Sequence, residues 1–167
     1  MLNQKLQAAL NHQINAELGS AYLYLAMAAH FEASNLTGSA RWMRRQAREE
    51  VSHAMKVFDF VHDRDGRVTL AAIAQPPAQF ASPLEVWEQA LKQEQGVTAR
   101  IHQLYALAAA ENDYPTQTML QWFVNEQVEE EKTAKAILEQ ARMIGPSSSA
   151  IYFLDRHLGK EAGEEGS

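Results

Sequence analysis

Residues 46–57 read QAREEVSHAMKV, and residues 122–131 read WFVNEQVEEE. Both stretches carry the 3–4 spacing of helices that pack one face against a core. On that face, however, stand Glu50 and His53 in the first stretch and Glu130 in the second. A fold that buries these faces must therefore accommodate charged groups inside a helical core.

The rest of the sequence predicts an all-α fold. Ala, Leu, Gln and Glu dominate and β-branched residues are sparse, a composition that favours helices over strands. Clusters of Gly, Pro, Asn and Ser divide the chain into four long helices and a short fifth helix. Their predicted bounds are 3–34, 39–63, 83–110, 115–144 and 148–158.

The connections between these helices predict a four-helix bundle. Most of them are short turns, but the crossover between the second and third helices, residues 64–82, is long enough to run the length of the bundle. The third helix then starts at the same end of the bundle as the second. We therefore predict one domain over residues 1–158, consisting of the bundle and the short fifth helix. A flexible acidic tail is expected over residues 159–167.

Composition excludes several classes of protein. The 167 residues suit one domain, and 46% apolar residues suffice for its core. A net charge of −6 argues against a nucleic-acid partner. Because there is no cysteine, disulfides, iron–sulfur clusters and thiolate-bound zinc are excluded. No stretch is apolar and long enough for a membrane span, and the first residues do not resemble a signal peptide, so a cytoplasmic location is expected.

Each long helix carries an acidic residue near the middle of its apolar stripe. These residues are Glu17, Glu50, Glu94 and Glu130. Counted from the turns between helices, they can reach one region of the bundle core. Carboxylates buried together are costly unless they are protonated or bind cations. Oxygen donors plus the imidazole of His53 suit Fe, Mn or Zn, and a Glu on two helices plus Glu-x-x-His is the pattern of di-iron helical bundles.

The same pattern fits two other classes of protein. One is a purely structural bundle whose acids are protonated or exposed, and the other is a di-iron oxygenase acting on an organic substrate. Such oxygenases usually carry two Glu-x-x-His motifs and longer chains. Tyr24 lies one heptad from Glu17. It either packs in the core with its hydroxyl bonded to a carboxylate or donates one electron to an oxidised iron centre.

Two further groups of acidic residues have two interpretations each. Glu49, Glu126 and Glu129 form either a solvated helix face or a third, weaker cation site. Asp63 and Asp65, just past the second helix, belong either to a solvated turn or to the route by which iron arrives.

Jointly, these motifs resemble bacterial non-haem ferritins over residues 1–158. The segments that carry the resemblance are NAELGSAYLYLAMA around Glu17, EEVSH at 49–53, LKQEQ around Glu94, WFVNEQVEEE at 122–131 and IYFLDR at 151–156. The resemblance implies a ferritin-like bundle assembled as a hollow cage of 24 identical subunits. It also implies ferroxidase activity, in which O2 or H2O2 oxidises Fe(II) to Fe(III) and the ferric mineral is stored.

The resemblance assigns roles to individual residues. It implies a di-iron ferroxidase centre in which Glu50 bridges two iron ions. The first ion is held by Glu17, Glu50 and His53, and the second by Glu50, Glu94 and Glu130, with Gln127 nearby. A third iron site is implied for Glu49, Glu126, Glu129 and the shared Glu130, and Tyr24 matches the tyrosine beside the centre.

Differences from bacterioferritins and rubrerythrins argue against membership of these two related families. Bacterioferritins carry a second Glu-x-x-His, whereas Glu130 is followed by Thr133 at that place. Val51 replaces their haem-ligating methionine, so no haem is expected. A chain without cysteine also lacks the Cys-ligated iron site of rubrerythrins.

Overall fold

The fold is known from a computed structural model, which describes residues 1–164. It contains five α-helices and, within that range, no strand. The helices are α1 (Gln4–Ala33), α2 (Thr37–Asp63), α3 (Pro83–Ala110), α4 (Tyr114–Ile144) and α5 (Ser148–Glu164). The predicted all-α four-helix bundle with a fifth helix is confirmed, and the bounds of the four long helices agree within two residues. No helix in the described range is long and apolar enough to cross a membrane.

The fifth helix is longer than predicted. It continues to Glu164, so residues 159–164, assigned above to a flexible tail, are helical. The two glycines at 159 and 163 led to the early boundary, but Leu158 and Ala162 on the same helix are buried against the bundle. Burial of these side chains outweighs the poor helix propensity of glycine. Residues 165–167 of the predicted tail lie outside the described part of the chain.

Short turns join α1 to α2 and α3 to α4. Each turn contains an asparagine with a positive φ angle, 58° at Asn35 and 54° at Asn112, a conformation that asparagine tolerates better than most residues. The turns place the two helices of each pair antiparallel. Side-chain caps begin α3 and α4: Ser82, at the end of the crossover, accepts the Glu85 N–H at 3.1 Å, and Asp113 accepts the Thr116 N–H at 3.0 Å.

The crossover of residues 64–82 runs along α1. Near the start of that helix, the Arg67 N–H donates to Gln7 Oε1 at 2.8 Å, and Asn11 Nδ2 donates to the Arg67 carbonyl at 2.9 Å. Near its end, the buried Phe80 ring lies 5.3 Å from the His30 ring. The crossover therefore spans the bundle from end to end, as its length predicted.

The core consists of two apolar clusters with a polar layer between them. The cluster nearer α5 includes Phe31, Trp42 and Trp87, and the one at the opposite end includes Leu10 and Phe123. Between them lie most of the buried polar side chains of the four long helices. These are Gln13, Glu17, Ser20, Gln46, Glu50, His53, Glu94, Gln127 and Glu130. The fold thus places the charged positions of the apolar stripes at one level, as predicted.

The fifth helix docks onto the start of α2 through one buried carboxylate. Leu36, which precedes α2, offers no side-chain cap. Instead, the N–H groups of Gly38 and Ser39 donate to the two oxygens of Asp155, at 3.1 and 2.7 Å. Asp155 therefore caps α2 from another helix and sets its negative charge against the positive end of the helix dipole.

Candidate metal centre

Glu17, Glu50 and His53 form the densest group of potential ligands. One donor atom of each lies within 4.8 Å of the others, and all three side chains are buried. His53 Nδ1 lies 3.7 Å from Glu50 Oε2. Because α2 supplies Glu50 and His53 at i and i+3, both side chains point toward Glu17 of α1. These three donors could together hold a single metal ion.

The carboxylate of Glu94 lies in the same polar layer and accepts hydrogen bonds at both oxygens. The Tyr24 hydroxyl donates to Oε1, and Gln127 Nε2 donates to Oε2 at 3.2 Å. Gln127 Nε2 also lies 3.2 Å from the Glu94 backbone carbonyl. Tyr24 from α1 and Gln127 from α4 therefore fix the Glu94 side chain of α3 in the core.

Glu130 completes the set of four carboxylates. Gln46 Nε2 of α2 donates to its Oε2 at 2.7 Å. Glu130 also belongs to a second group with His53 and the half-buried Glu126, whose donor atoms lie within 4.8 Å of one another. All five residues predicted for the di-iron centre thus lie together in one polar layer.

The residues predicted for a third site are only partly brought together. Glu126 joins His53 and Glu130, as described above, whereas the exposed Glu129 pairs with Lys132 at 3.2 Å. Glu49 lies 3.8 Å from Arg45 at the surface of α2. Asp63 and Asp65 are exposed at the far end of α2.

Two glutamines near the site had no predicted role. Gln46 holds Glu130, and Gln13 Nε2 donates to Glu17 Oε1 at 2.7 Å. Both are buried. Their spacing in the sequence could have indicated this role, because Gln13 lies one helical turn before Glu17 and Gln46 lies one turn before Glu50. A polar residue on the apolar face, one turn from a buried acid, needs a partner in the core.

Several buried donor atoms of the site have no hydrogen-bond partner. They are Glu17 Oε2, both carboxylate oxygens of Glu50, and His53 Nδ1. Leaving such atoms unpaired in a core costs about 1–3 kcal/mol each, and more for charged groups. Their side chains converge on one point of the polar layer, so a cation at that point would satisfy them together.

Burial strongly affects how these carboxyl groups titrate. Burial, followed by the charge of Glu50, raises the pKa of Glu17 to about 8. Burial, followed by the charge of Glu94, raises the pKa of Glu130 to about 8. The same two causes raise the pKa of Glu50 well above its ordinary range. Without a cation, the site is therefore expected to hold protons at neutral pH.

Metal binding is consequently expected to release protons. The pKa of Glu17 is about 8 in the folded chain against 4.5 for an ordinary glutamate, so the folded apoprotein binds more protons than the unfolded chain between these values. Its free energy of unfolding should decrease as pH rises from 5 to 8. A divalent cation must displace the protons, so its affinity should decrease as pH falls below 8.

Calorimetry at pH 7 in two buffers of different ionisation enthalpy measures this release. We expect the apparent enthalpy of Zn(II) binding to differ between the buffers, and the Glu17→Gln variant to release fewer protons. Glu139→Gln, at an exposed position on α4, is the control that leaves the release unchanged. An enthalpy that does not depend on the buffer would contradict the expected protonation.

The candidate ligands lie beside the seam between α2 and α4, along which the backbones of these two helices are widely separated. In the described chain no Cα atom of α2 lies within 8 Å of one on α4, whereas α1 and α3 approach more closely. Side chains bridge the seam. Besides the contact from Gln46 to Glu130, the His53 ring lies edge to face with Trp122 at 5.4 Å, and Lys56 Nζ lies 4.4 Å from the Trp122 ring centre. Trp122, whose ring packs on the buried His53, is itself 38% exposed.

The fold and this polar layer define a class of protein. A four-helix bundle that converges four carboxylates and one histidine in its core is a carboxylate-rich helical bundle of the kind that holds two metal ions. The ferritin-like domain family matches residues 7–144 of the chain.

Relatives extend over nearly the whole chain. A bacterial non-heme ferritin of Bacteroides fragilis is 40% identical over 160 residues, which cover 96% of this chain and 99% of that protein. Another, from Staphylococcus saprophyticus, is 38% identical over 165 residues, 99% of both chains. A crystal structure of an open pore ferritin from the hyperthermophilic archaeon Archaeoglobus fulgidus has a TM-score of 0.94 and 49% identity, covering 95% of this chain and 98% of that one. The chain belongs to the ferritin family.

Proposed function

We propose that this protein is an iron-storage ferroxidase. In this proposal, O2 or H2O2 oxidises Fe(II) at a di-iron centre within each subunit, and the ferric mineral is deposited inside a hollow cage of 24 subunits. The observation that carries the proposal is the set of buried, unpartnered donor atoms on Glu17, Glu50 and His53. Membership of the ferritin family supports iron as the metal.

The hydrogen bonds of the four carboxylates support distinct roles for them. Both oxygens of Glu50 are unpartnered, which suits a carboxylate that bridges two ions. Glu17 keeps one oxygen free for the first ion, together with His53. Glu94 and Glu130 are proposed ligands of the second ion, with Gln127 beside it. Two ions and the bridge would offset the mutual repulsion that raises the pKa values of these groups.

The proposed chemistry follows from the donor set. Carboxylate oxygens are hard ligands that stabilise Fe(III) relative to Fe(II) and so make oxidation favourable. Two Fe(II) ions held side by side supply two electrons. Two electrons and two protons convert O2 to H2O2, and the same number converts H2O2 to two water molecules. One centre therefore serves either oxidant.

Tyr24 is proposed to take part in this chemistry as a one-electron donor. Its hydroxyl is buried, and its proton has an acceptor in Glu94, the contact that a core-packing interpretation also predicts. Burial, followed by the charge of Glu94, raises the pKa of Tyr24 well above 10, so the phenol keeps its proton until it is oxidised. Loss of one electron to the oxidised iron centre would then be coupled to transfer of the phenol proton to Glu94.

A third cation site is proposed at the seam between α2 and α4. The group of His53, Glu126 and Glu130 supports part of it, while Glu49 is half-buried on α2 and Glu129 is exposed on α4. An ion there would share Glu130 with the di-iron centre. Glu129 would have to leave Lys132 to reach such an ion, so we expect this site to be weaker than the buried one.

The size of the assembly with and without iron tests the proposal. Twenty-four copies of a chain of 18.7 kDa give a mass of about 449 kDa on gel filtration. We expect apoprotein at this size to take up Fe(II) in air and to keep ferric iron in the same fraction. A monomer would contradict the cage, and a protein that leaves Fe(II) unbound at micromolar concentrations would favour a purely structural bundle.

A further inference from the structure

The two buried glutamines of the polar layer each hold one end of the carboxylate cluster. Gln13 donates to Glu17 Oε1 and Gln46 donates to Glu130 Oε2, both at 2.7 Å. The two glutamines are 2% and 1% exposed. Neither is itself a proposed ligand, so their place in the core needs another reason.

The two contacts are built differently. Gln13 and Glu17 lie one turn apart on α1, so the backbone of a single helix sets their distance. Gln46 instead reaches from α2 to Glu130 on α4, across the seam in which no Cα atoms of the two helices approach within 8 Å. Its long side chain is therefore a direct bridge between the helix that carries His53 and the helix that carries Glu130.

Each contact occupies one carboxylate oxygen and leaves the other available. Glu17 Oε2 has no hydrogen-bond partner. A carboxylate fixed through one oxygen presents the second oxygen in a defined direction, which lowers the entropy that is lost when an ion binds. The amide is also uncharged, so it orients the carboxylate without supplying the positive charge that a lysine or arginine would bring. The negative charge stays available for the cation.

We propose that Gln13 and Gln46 are positioning residues, each dedicated to a different metal ion. Gln13 orients Glu17 for the first ion, and Gln46 orients Glu130 for the second ion. This inference rests on the proposed di-metal function of the polar layer. It goes beyond that function because it assigns a separate supporting residue to each half of the centre.

Titration of the full-length apoprotein with Co(II) tests the inference, followed by visible absorption and calorimetry. The variants Gln13→Met and Gln46→Met keep the side-chain length but remove the donor. Each variant is expected to lower the affinity for one of the two ions of the di-metal centre about 10- to 100-fold, the effect typical of residues that support metal ligands. The other ion should retain its affinity within about threefold.

A double-mutant cycle identifies the carboxylate through which each glutamine acts. In a Glu130→Ala background, Gln46→Met should cause no further loss, whereas Gln13→Met should still weaken the remaining ion. The opposite result is expected in a Glu17→Ala background. Equal losses in both backgrounds would overturn the inference, because the glutamines would then act through the fold as a whole.

A matched control separates positioning from general stability. Gln93 Nε2 donates to Ser20 Oγ at 2.6 Å, an inter-helix bond in the same bundle that touches no proposed ligand. Gln93→Met should leave both Co(II) affinities unchanged, and an equal loss there would overturn the inference. Gln13→Asn and Gln46→Asn, which keep an amide but shorten its reach, form a second pair with the same expected losses if a methionine variant does not fold.

The same titration distinguishes this inference from the function on which it rests. If the wild-type chain binds fewer than two Co(II) ions, the di-metal function fails and the inference fails with it. If the wild type binds two ions and both glutamine variants bind them with unchanged affinity, only the inference fails.

Discussion

Replacing Glu50 and His53 together with alanine is expected to slow the oxidation of Fe(II) by O2 at least ~100-fold. Glu50 supplies both unpartnered oxygens of the proposed bridge, and His53 supplies the imidazole. Without them, two Fe(II) ions are no longer held side by side, and the paired delivery of two electrons is lost. The expected effect is larger than for a supporting residue because two direct ligands are removed.

Stopped-flow absorption after mixing apoprotein with Fe(II) in aerobic buffer measures this loss. The double variant should remain folded, because replacing Glu50 removes a buried carboxyl group that has no hydrogen-bond partner and destabilises the apoprotein. Circular dichroism and gel filtration verify that it does. Glu139→Ala removes a carboxylate whose contact is an exposed ion pair with Arg142, and it should oxidise iron at the wild-type rate.

A fast Fe(III) signal that persists in the double variant would contradict the proposed centre. It would mean that oxidation occurs elsewhere, for example at the exposed acidic residues along the seam between α2 and α4. Slowing by the same factor in Glu139→Ala would point to a general effect of surface charge instead.

Replacing Gly38 with alanine is expected to destabilise the protein by about 3 kcal/mol or more. A Cβ atom on Gly38 would lie 2.7 Å from the carbonyl carbon of Asp155 and nearer still to its oxygen. These are backbone atoms of α5, so no side-chain rotation relieves the clash. The fifth helix would have to move, and the hydrogen bonds from Gly38 and Ser39 to Asp155 would break with it.

Thermal unfolding of the wild-type and Gly38→Ala apoproteins measures this effect. For a domain of this size, the expected loss corresponds to a decrease in Tm of roughly 6–12 °C. Gly163→Ala is the matched control, since a Cβ there meets nothing within 4 Å. Gly163 lies within α5, so this alanine should be neutral or stabilise the helix by up to about 1 kcal/mol. Equal Tm values for the two variants would show that the contact between Gly38 and α5 does not hold the helix in place.

The sequence patterns identified the helices and the polar layer because both depend on local periodicity. The acids fell at the middle of apolar stripes, and every residue predicted for the di-iron centre is indeed buried in one layer. The 3–4 spacing of Gln46, Glu50 and His53 is compatible with a buried Gln46, but it assigns no partner. The contact of Gln46 with Glu130 depends on the distance between α2 and α4, which no local pattern contains.

Two other features escaped prediction for physical reasons. Glycine content suggested that the fifth helix ends early, whereas the burial of Leu158 and Ala162 extends it to Glu164. The capping of α2 by Asp155 joins residues that are 116 and 117 positions apart, so nothing near α2 in the sequence reveals it. Glu129 differs from these two features, because its role was predicted from the sequence. It pairs with Lys132, and a role in the third iron site needs another position of its side chain.

The division of the core into two apolar clusters has a consequence for how such a chain can evolve. Each end of the bundle is held by its own hydrophobic contacts, whereas the unpartnered donor atoms of the polar layer between them destabilise the metal-free fold. Ligands in that layer can therefore be exchanged at small cost to the scaffold. Because the two apolar clusters hold the helices together, single substitutions in the polar layer can change the metal preference without changing the fold.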